Sequence, residues 1–274
     1  MSVAIGMLAA ICLCGEAPER ANDFFWENDR VGFRAYGPGD CHRWSGIDVF
    51  NKATEENFVV KLLRKQGNFR NWHKNTNGKC FDNYTVGAGR GTGAMAVWGD
   101  GEWKTYPNWD RCEVVTNGDD FCEFRLSYPA FSDLGRMTYH VTFRRGDPFF
   151  RNEVSFDNKG RLPKGFLLGP GLDVVASRGH GGNLCEDAAT GVISLFEDSK
   201  GGNEGSTMTA VFLEDATGCE ITADHLGCRI LAVHRPSVVY WAGALWDGEG
   251  RVKTAAEWHA LVRDFQNKVK GEMK

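Results

Sequence analysis

The chain has 274 residues, 42% of them hydrophobic, with a formal net charge of −4 and a pI near 6.0. That apolar share supports a sizeable core and excludes a disordered chain. The charge balance excludes a general attraction to nucleic acid or to an anionic membrane surface.

Ser2 to Gly15 is almost continuously apolar and resembles the h-region of a secretory signal. It lacks a basic n-region, since the first cation is Arg20, and it is too short to span a membrane. Residues 1–19 are therefore read as a candidate leader, with a native buried strand as the alternative, and residues 20–274 as a single β-sandwich domain. No second apolar run reaches spanning length.

Thr54 to Gln66 predicts a helix, with Thr54 as N-cap and Gly67 closing it. Trp72-His73-Lys74-Asn75-Thr76-Asn77-Gly78 follows, then Asp82, Tyr84 and the glycine alternation 87, 89, 91, 93, with Arg90 inside it. Titratable groups on a turn-rich segment that leads into a strand are how sites are commonly built. The glycines let backbone approach a ligand or turn tightly. No Gly-Lys-Ser/Thr follows them and a strand comes next, which excludes a P-loop and a dinucleotide fingerprint.

The middle of the chain reads as β-structure. Met137, Tyr139, Val141 and Phe143 alternate with polar residues, Arg145-Gly146-Asp147-Pro148 turns the chain, and Phe150 to Phe156 alternates again. Similar runs are 95–98, 113–115, 121–128, 192–197, 209–213, 230–234 and 238–242. Successive strands without intervening helical patterns predict a sandwich rather than βαβ units. Ser199 to Ser206 reads as a loop. The last element is a helix opened by the capping box Thr254-x-x-Glu257, with Trp258, Leu261, Val262, Phe265 and Val269 on one stripe.

The chain has nine cysteines, and no pair has C-x-x-C spacing. Cys112 and Cys122 flank the turn Thr116-Asn117-Gly118-Asp119, and Cys219 and Cys228 flank a second turn. Each pair is placed for a cross-strand disulfide in an oxidising compartment, or remains as buried thiols. There is no G-x-S-x-G elbow, H-E-x-x-H or EF-hand loop. Neither a cofactor nor a metal is expected.

Several segments together resemble a known family. They are Phe25-Trp26-Glu27-Asn28-Asp29-Arg30-Val31-Gly32-Phe33-Arg34-Ala35-Tyr36-Gly37-Pro38, Ser45-Gly46-Ile47-Asp48-Val49, the stretch through His73, Asp82, Tyr84 and Val86-Gly87, and Tyr240-Trp241-Ala242-Gly243-Ala244-Leu245-Trp246-Asp247. Their order and spacing resemble the bacterial domain of unknown function 4861 family over nearly the whole chain after residue 20. The resemblance implies a galactose mutarotase-like antiparallel β-sandwich (a supersandwich) with a C-terminal helix. It also implies periplasmic or secreted location and a place in polysaccharide utilisation beside lyases and unsaturated-uronide hydrolases. Asn75 and Asn77 stand where that family would often carry acidic residues, which speaks against a metal there.

The expected chemistry is proton transfer. His73 titrates near neutral pH and can act as acid or base, with Tyr84 or Glu197 as its partner. Asp82 would orient His73 or hold a substrate hydroxyl. Arg34 and Arg90 suit a uronate carboxylate, because guanidinium pairs with it bidentately. His140 would line a cleft, and Trp246 would stack on a sugar. For each residue the ordinary structural role is the competing reading: a hydrogen-bonded core ring, an ion pair or a strand end. The expected protein is thus a carbohydrate-active enzyme acting on uronate-containing, pectin-like oligosaccharides, or else a non-catalytic glycan-binding protein. The expected partner is an acidic oligosaccharide, with no nucleic acid and no membrane span, the chain being a monomer or simple homo-oligomer.

Overall fold

The computed structural model describes residues 10–40, 45–65, 72–86, 89–99, 101–130, 135–157, 167–173, 183–198, 204–213, 216–221, 226–231 and 237–272, without the side chains of 40, 99, 198, 220 and 226–231. The fold is mostly β, with three antiparallel sheets and one long C-terminal helix.

The N-terminal sheet runs β1 (Leu13–Ala17), β2 (Asp23–Glu27), β3 (Val31–Ala35), β4 (Ile47–Lys52), β5 (Cys80–Phe81) in that order. A short helix, α1 (Val59–Leu63), interrupts it in sequence. The other strands are β6 (Thr92–Gly99), β7 (Glu102–Thr105), β8 (Arg111–Thr116), β9 (Phe121–Tyr128), β10 (Met137–Arg144), β11 (Phe149–Phe156), β12 (Leu167–Leu172), β13 (Leu184–Asp187), β14 (Val192–Asp198), β15 (Ser206–Leu213), β16 (Gly218–Ile221), β17 (Leu226–Leu231) and β18 (Ser237–Trp246). The large sheet has the order β13-β14-β15-β18-β11-β10-β9-β8, and the third sheet β16-β17-β12-β6-β7.

Both smaller sheets pack on one face of the large sheet, the inner face. Trp26 and Phe33 of the N-terminal sheet meet Phe124, Phe143 and Phe150 there, with ring centroids 5.1–5.6 Å apart. The outer face is covered by α2 (Ala255–Glu272), whose Trp258 stacks on Phe149 at 5.5 Å. The capping box forms as the sequence predicts: Glu257 N–H donates to Thr254 Oγ1 at 3.2 Å, and Thr254 N–H returns to Glu257 Oε2 at 3.1 Å. A third apolar group, with Phe25, Phe50, Trp72 and α1, covers the far face of the N-terminal sheet. Strands β2, β3 and β4 are therefore buried throughout.

Several local expectations change. The first helix is shorter than Thr54–Gln66, because its N-terminal amides are not satisfied by Thr54. The Glu27 carboxylate accepts the N–H groups of Phe58, Val59 and Val60, so the helix starts there. Thr54 Oγ1 instead accepts from Glu56 N–H in a turn; residues 66 and 67 lie outside the described set. Leu13–Ala17, inside the candidate leader, is strand β1, with Cys12, Cys14 and Ala17 buried. Cys112 and Cys122 do not face each other. The hairpin pairs Thr116 with Glu123, turning later than the expected 116–119 turn, so Cys112 lies opposite Leu126, and Cys112 and Cys122 are both free thiols. Cys219 does lie opposite Cys228.

The glycine alternation serves packing. A Cβ at Gly89 would fall 2.1 Å from the Asp173 carboxylate, and one at Gly91, whose φ is +59°, would fall 2.0 Å from the Ile47 carbonyl. The close approach at these two positions is to the protein itself. Gly87 lies outside the described residues, as does the part of the expected 199–206 loop before residue 204.

Candidate active site

The expected site residues fall into two groups on opposite faces of β4 and β5. The first lies on the far face of the N-terminal sheet, where successive strands place Asp23, Arg34 and Asp48, and the residue after β5 adds Asp82. The Arg34 guanidinium donates to Asp48 through Nε and Nη2 at 3.0 and 2.5 Å, to Asp23 at 3.3 Å, and to Asp82 at 3.2 Å. It also lies over the Tyr36 ring at 4.7 Å. Arg34 is 3% exposed, so these protein carboxylates enclose it. Burial, and next the Asp48 carboxylate, push the Asp82 carboxyl well above the usual range.

His73 sits half-exposed at the edge of this group. Its Nδ1 lies 2.9 Å from the Asp82 carbonyl and 3.5 Å from the Asp82 carboxylate, while Nε2 accepts from Trp72 Nε1 at 3.0 Å. These bonds define the Nδ1–H tautomer, and partial burial lowers the imidazole pKa. At neutral pH His73 is thus an uncharged ring with both nitrogens engaged inside the protein.

The second group lies where the three sheets meet. Tyr84, on the segment between β5 and β6, donates its hydroxyl to the carbonyls of Gly91 and Asp173, each at 3.2 Å. Burial, then the charges of Asp173 and Glu197, push its pKa well up, so it keeps its proton. Asp173 directly follows β12. Its carboxylate accepts Arg90 N–H at 2.9 Å and Gly91 N–H at 2.7 Å, yet burial outweighs these bonds and raises its pKa to about 6. Glu197, 8% exposed near the end of β14, points to the inner face beside Thr207. Thr207 Oγ1 accepts from Asn51 Nδ2 at 2.9 Å, which also donates to Asn83 Oδ1 at 2.8 Å. Two carboxylates and a phenol are thus set among amide and hydroxyl groups in an otherwise apolar sandwich. A raised carboxyl against a phenol that keeps its proton is an arrangement that can give and take protons.

Arg90 borders the second group through its N–H on Asp173, while His140 and Trp246 stand apart. Arg90 is buried, bonds to the Gly169 carbonyl at 3.2 Å, and stacks over Trp103 at 5.0 Å. His140 is on the outer face of the large sheet, paired with Glu123 at 2.5 Å. Trp246 is 8% exposed, with its edge on Phe81 at 5.0 Å and its N–H on the Glu204 carbonyl at 2.7 Å. Sequence reasoning missed Asp173. Its one signal was a lone carboxylate ending the run Leu167 to Leu172. Among the described residues no cluster of three or more His, Cys, Asp or Glu is arranged to hold a metal, and no helix is long and apolar enough to cross a membrane.

Fold and site define an antiparallel β-sandwich protein with an enclosed carboxylate–phenol group at the sheet junction. Residues 11–274 match the family described as Domain of unknown function (DUF4861), and the chain belongs to it. Uncharacterized protein P7 of Formosa agariphila is 26% identical over 279 residues, covering 94% of this chain and 68% of that protein. A solved structure from the human microbiome, described as a candidate kojibiose phosphorylase, is similar at a TM-score of 0.46 and 9% identity over 95% of this chain. The 4-alpha-glucanotransferase of Thermococcus litoralis is similar at 0.38 and 7% over 87%. This chain spans only 37% and 40% of those two proteins.

Proposed function

We propose that the protein is a carbohydrate-active enzyme that transfers protons during breakdown of uronate-containing oligosaccharides, with its working groups at the sheet junction. The observation that supports this reading is the bond from Tyr84 to the Asp173 carbonyl beside a buried, raised carboxyl, with Glu197 near enough for its charge to act on Tyr84. Asp173, titrating near pH 6, serves as base, and Glu197 is the second acid/base carboxylate. Tyr84 supplies a hydroxyl proton to a developing anion or leaving group by giving up its bonds to the Gly91 and Asp173 carbonyls. His73 is a positioning residue that ties the 72–82 segment to Asp82. The family resemblance supports the acidic-glycan class and an exported location, which cell fractionation tests.

A panel of pectin-, ulvan-, alginate- and glycosaminoglycan-derived oligosaccharides, followed by product mass and by the ultraviolet absorbance of unsaturated uronates, tests the reaction. Rising absorbance marks elimination, and falling absorbance marks processing of unsaturated ends. Glu197→Gln should lower kcat by roughly 10²–10⁴ with an unchanged circular dichroism spectrum; full activity in that variant refutes the assignment.

One observation favours a second reading, a non-catalytic glycan-binding protein. On the β6–β7 hairpin Trp98 and Trp103 are cross-strand partners with centroids 5.6 Å apart, both half-buried, with Arg90 over Trp103. Such an aromatic edge suits a sugar ring. Tight binding of one glycan with no change in mass, weakened by Trp98→Ala, would select this reading.

A further inference from the structure

The outer face of the large sheet carries a cavity of about 540 Å³ that the sheet-junction chemistry does not use. It lies between β10, β11 and β18 on one side and the last turns of α2 on the other. Its floor is aromatic: Phe149, Trp241 and Phe265. Trp241 is held flat by Phe212, at 5.2 Å and 7° between planes, so the floor is rigid. Three cations from three elements stand around it: Arg144 on β10, Arg151 on β11 and Lys268 on α2. The facing acids are Asp147 and Glu272, and Glu153 beside the lining pairs with Arg151 at 3.2 Å. Lys268 and Arg144 act on the Asp147 carboxyl, so charges of both signs share one space.

From this geometry we infer that the cavity is a second binding site, for a carboxylated sugar. The volume is in the range of small-molecule sites. The ring's C–H face packs on Phe265, the partly exposed member of the floor, Arg144 and Arg151 take the carboxylate through their forked N–H groups, and Asp147 and Thr142 accept hydroxyl protons. Arg151 already pairs with Glu153 through Nη2 at 3.2 Å, and a sugar carboxylate would enter as a second acceptor on its fork. The site is on the opposite face of the large sheet from Glu197, so it holds a chain of the substrate without taking part in the reaction. For its ligand class the inference rests on the acidic-glycan reading; for its place it rests on the cavity alone.

Isothermal titration of the full chain with a galacturonate trisaccharide, against a neutral galactose trisaccharide, tests it. The wild type should take up one more equivalent of the acidic sugar than the double variant Arg144→Gln/Arg151→Gln does. The neutral sugar should bind this site at least about tenfold more weakly, a difference of about 1.4 kcal/mol. Turnover and melting temperature of the double variant should match the wild type, and Arg151→Lys, which keeps the charge and loses the fork, should bind with intermediate affinity. Equal stoichiometry and affinity in wild type and double variant, or no acidic-sugar binding up to about 10 mM, overturns the site. Loss of one equivalent in a protein that turns over no glycan sinks the enzyme reading and leaves this site standing.

Discussion

Replacing Arg34 by methionine removes the cation from a group of three buried aspartates while keeping much of the side-chain volume. Arg34 makes five hydrogen bonds: two to Asp48 and one each to Asp23, Tyr36 and Asp82. The three carboxylates are between 0% and 1% exposed, so water cannot replace the guanidinium. Removing one partner from a buried ion group costs about 3–5 kcal/mol, because the remaining charges stay desolvated. The cost should depend on pH, with a definite sign. Asp82 already has a folded pKa above its ordinary value. A carboxyl raised in this way contributes stability below its unfolded pKa, near 3.9, and loses it as pH rises through the folded value. Without Arg34, which lowers the Asp82 pKa, that window extends upward. The deficit of the variant should therefore grow between pH 5 and pH 8, by up to about 1.4 kcal/mol per pH unit for each carboxyl still protonated in the fold. Urea unfolding of both proteins across that range measures it. A deficit below about 1 kcal/mol, or one that shrinks with rising pH, would refute the account of Arg34 as the internal counter-ion.

Three other outcomes can be checked. With Asp173 as base, kcat/KM should rise as pH passes up through about 6 and then level; Asp173→Asn should remove that limb, and an unchanged pH profile would exclude the role. His73→Ala should change kcat by less than roughly tenfold, since both ring nitrogens serve internal bonds; a loss of about 10³ would return His73 to the acid/base pair. Trp258→Ala should cost about 3–5 kcal/mol by thermal or denaturant unfolding, because the ring is fully buried, stacks on Phe149 and donates to the Thr209 carbonyl at 3.2 Å. A cost under 1 kcal/mol would mean that α2 is not the cover of the outer face.

The sequence alone determined the local elements whose signals repeat over short distances. Alternation over 137–143 and 150–156 marked β10 and β11, because a strand with one buried face must place every second side chain inward. The capping box and the stripe from Trp258 to Val269 marked α2, since helix ends and faces are set by residues three and four apart. Where a partner comes from far along the chain, only the tertiary structure decided. Helix α1 begins where Glu27, about thirty residues upstream, supplies its acceptors. Arg34 was legible as a carboxylate binder, but the pairing of β2, β3 and β4 gives it protein carboxylates as ligands. Tyr84 and Glu197 were legible as titratable groups, but no spacing announced Asp173, because a carboxylate gains its chemistry from the burial and neighbours that close around it only when the three sheets meet.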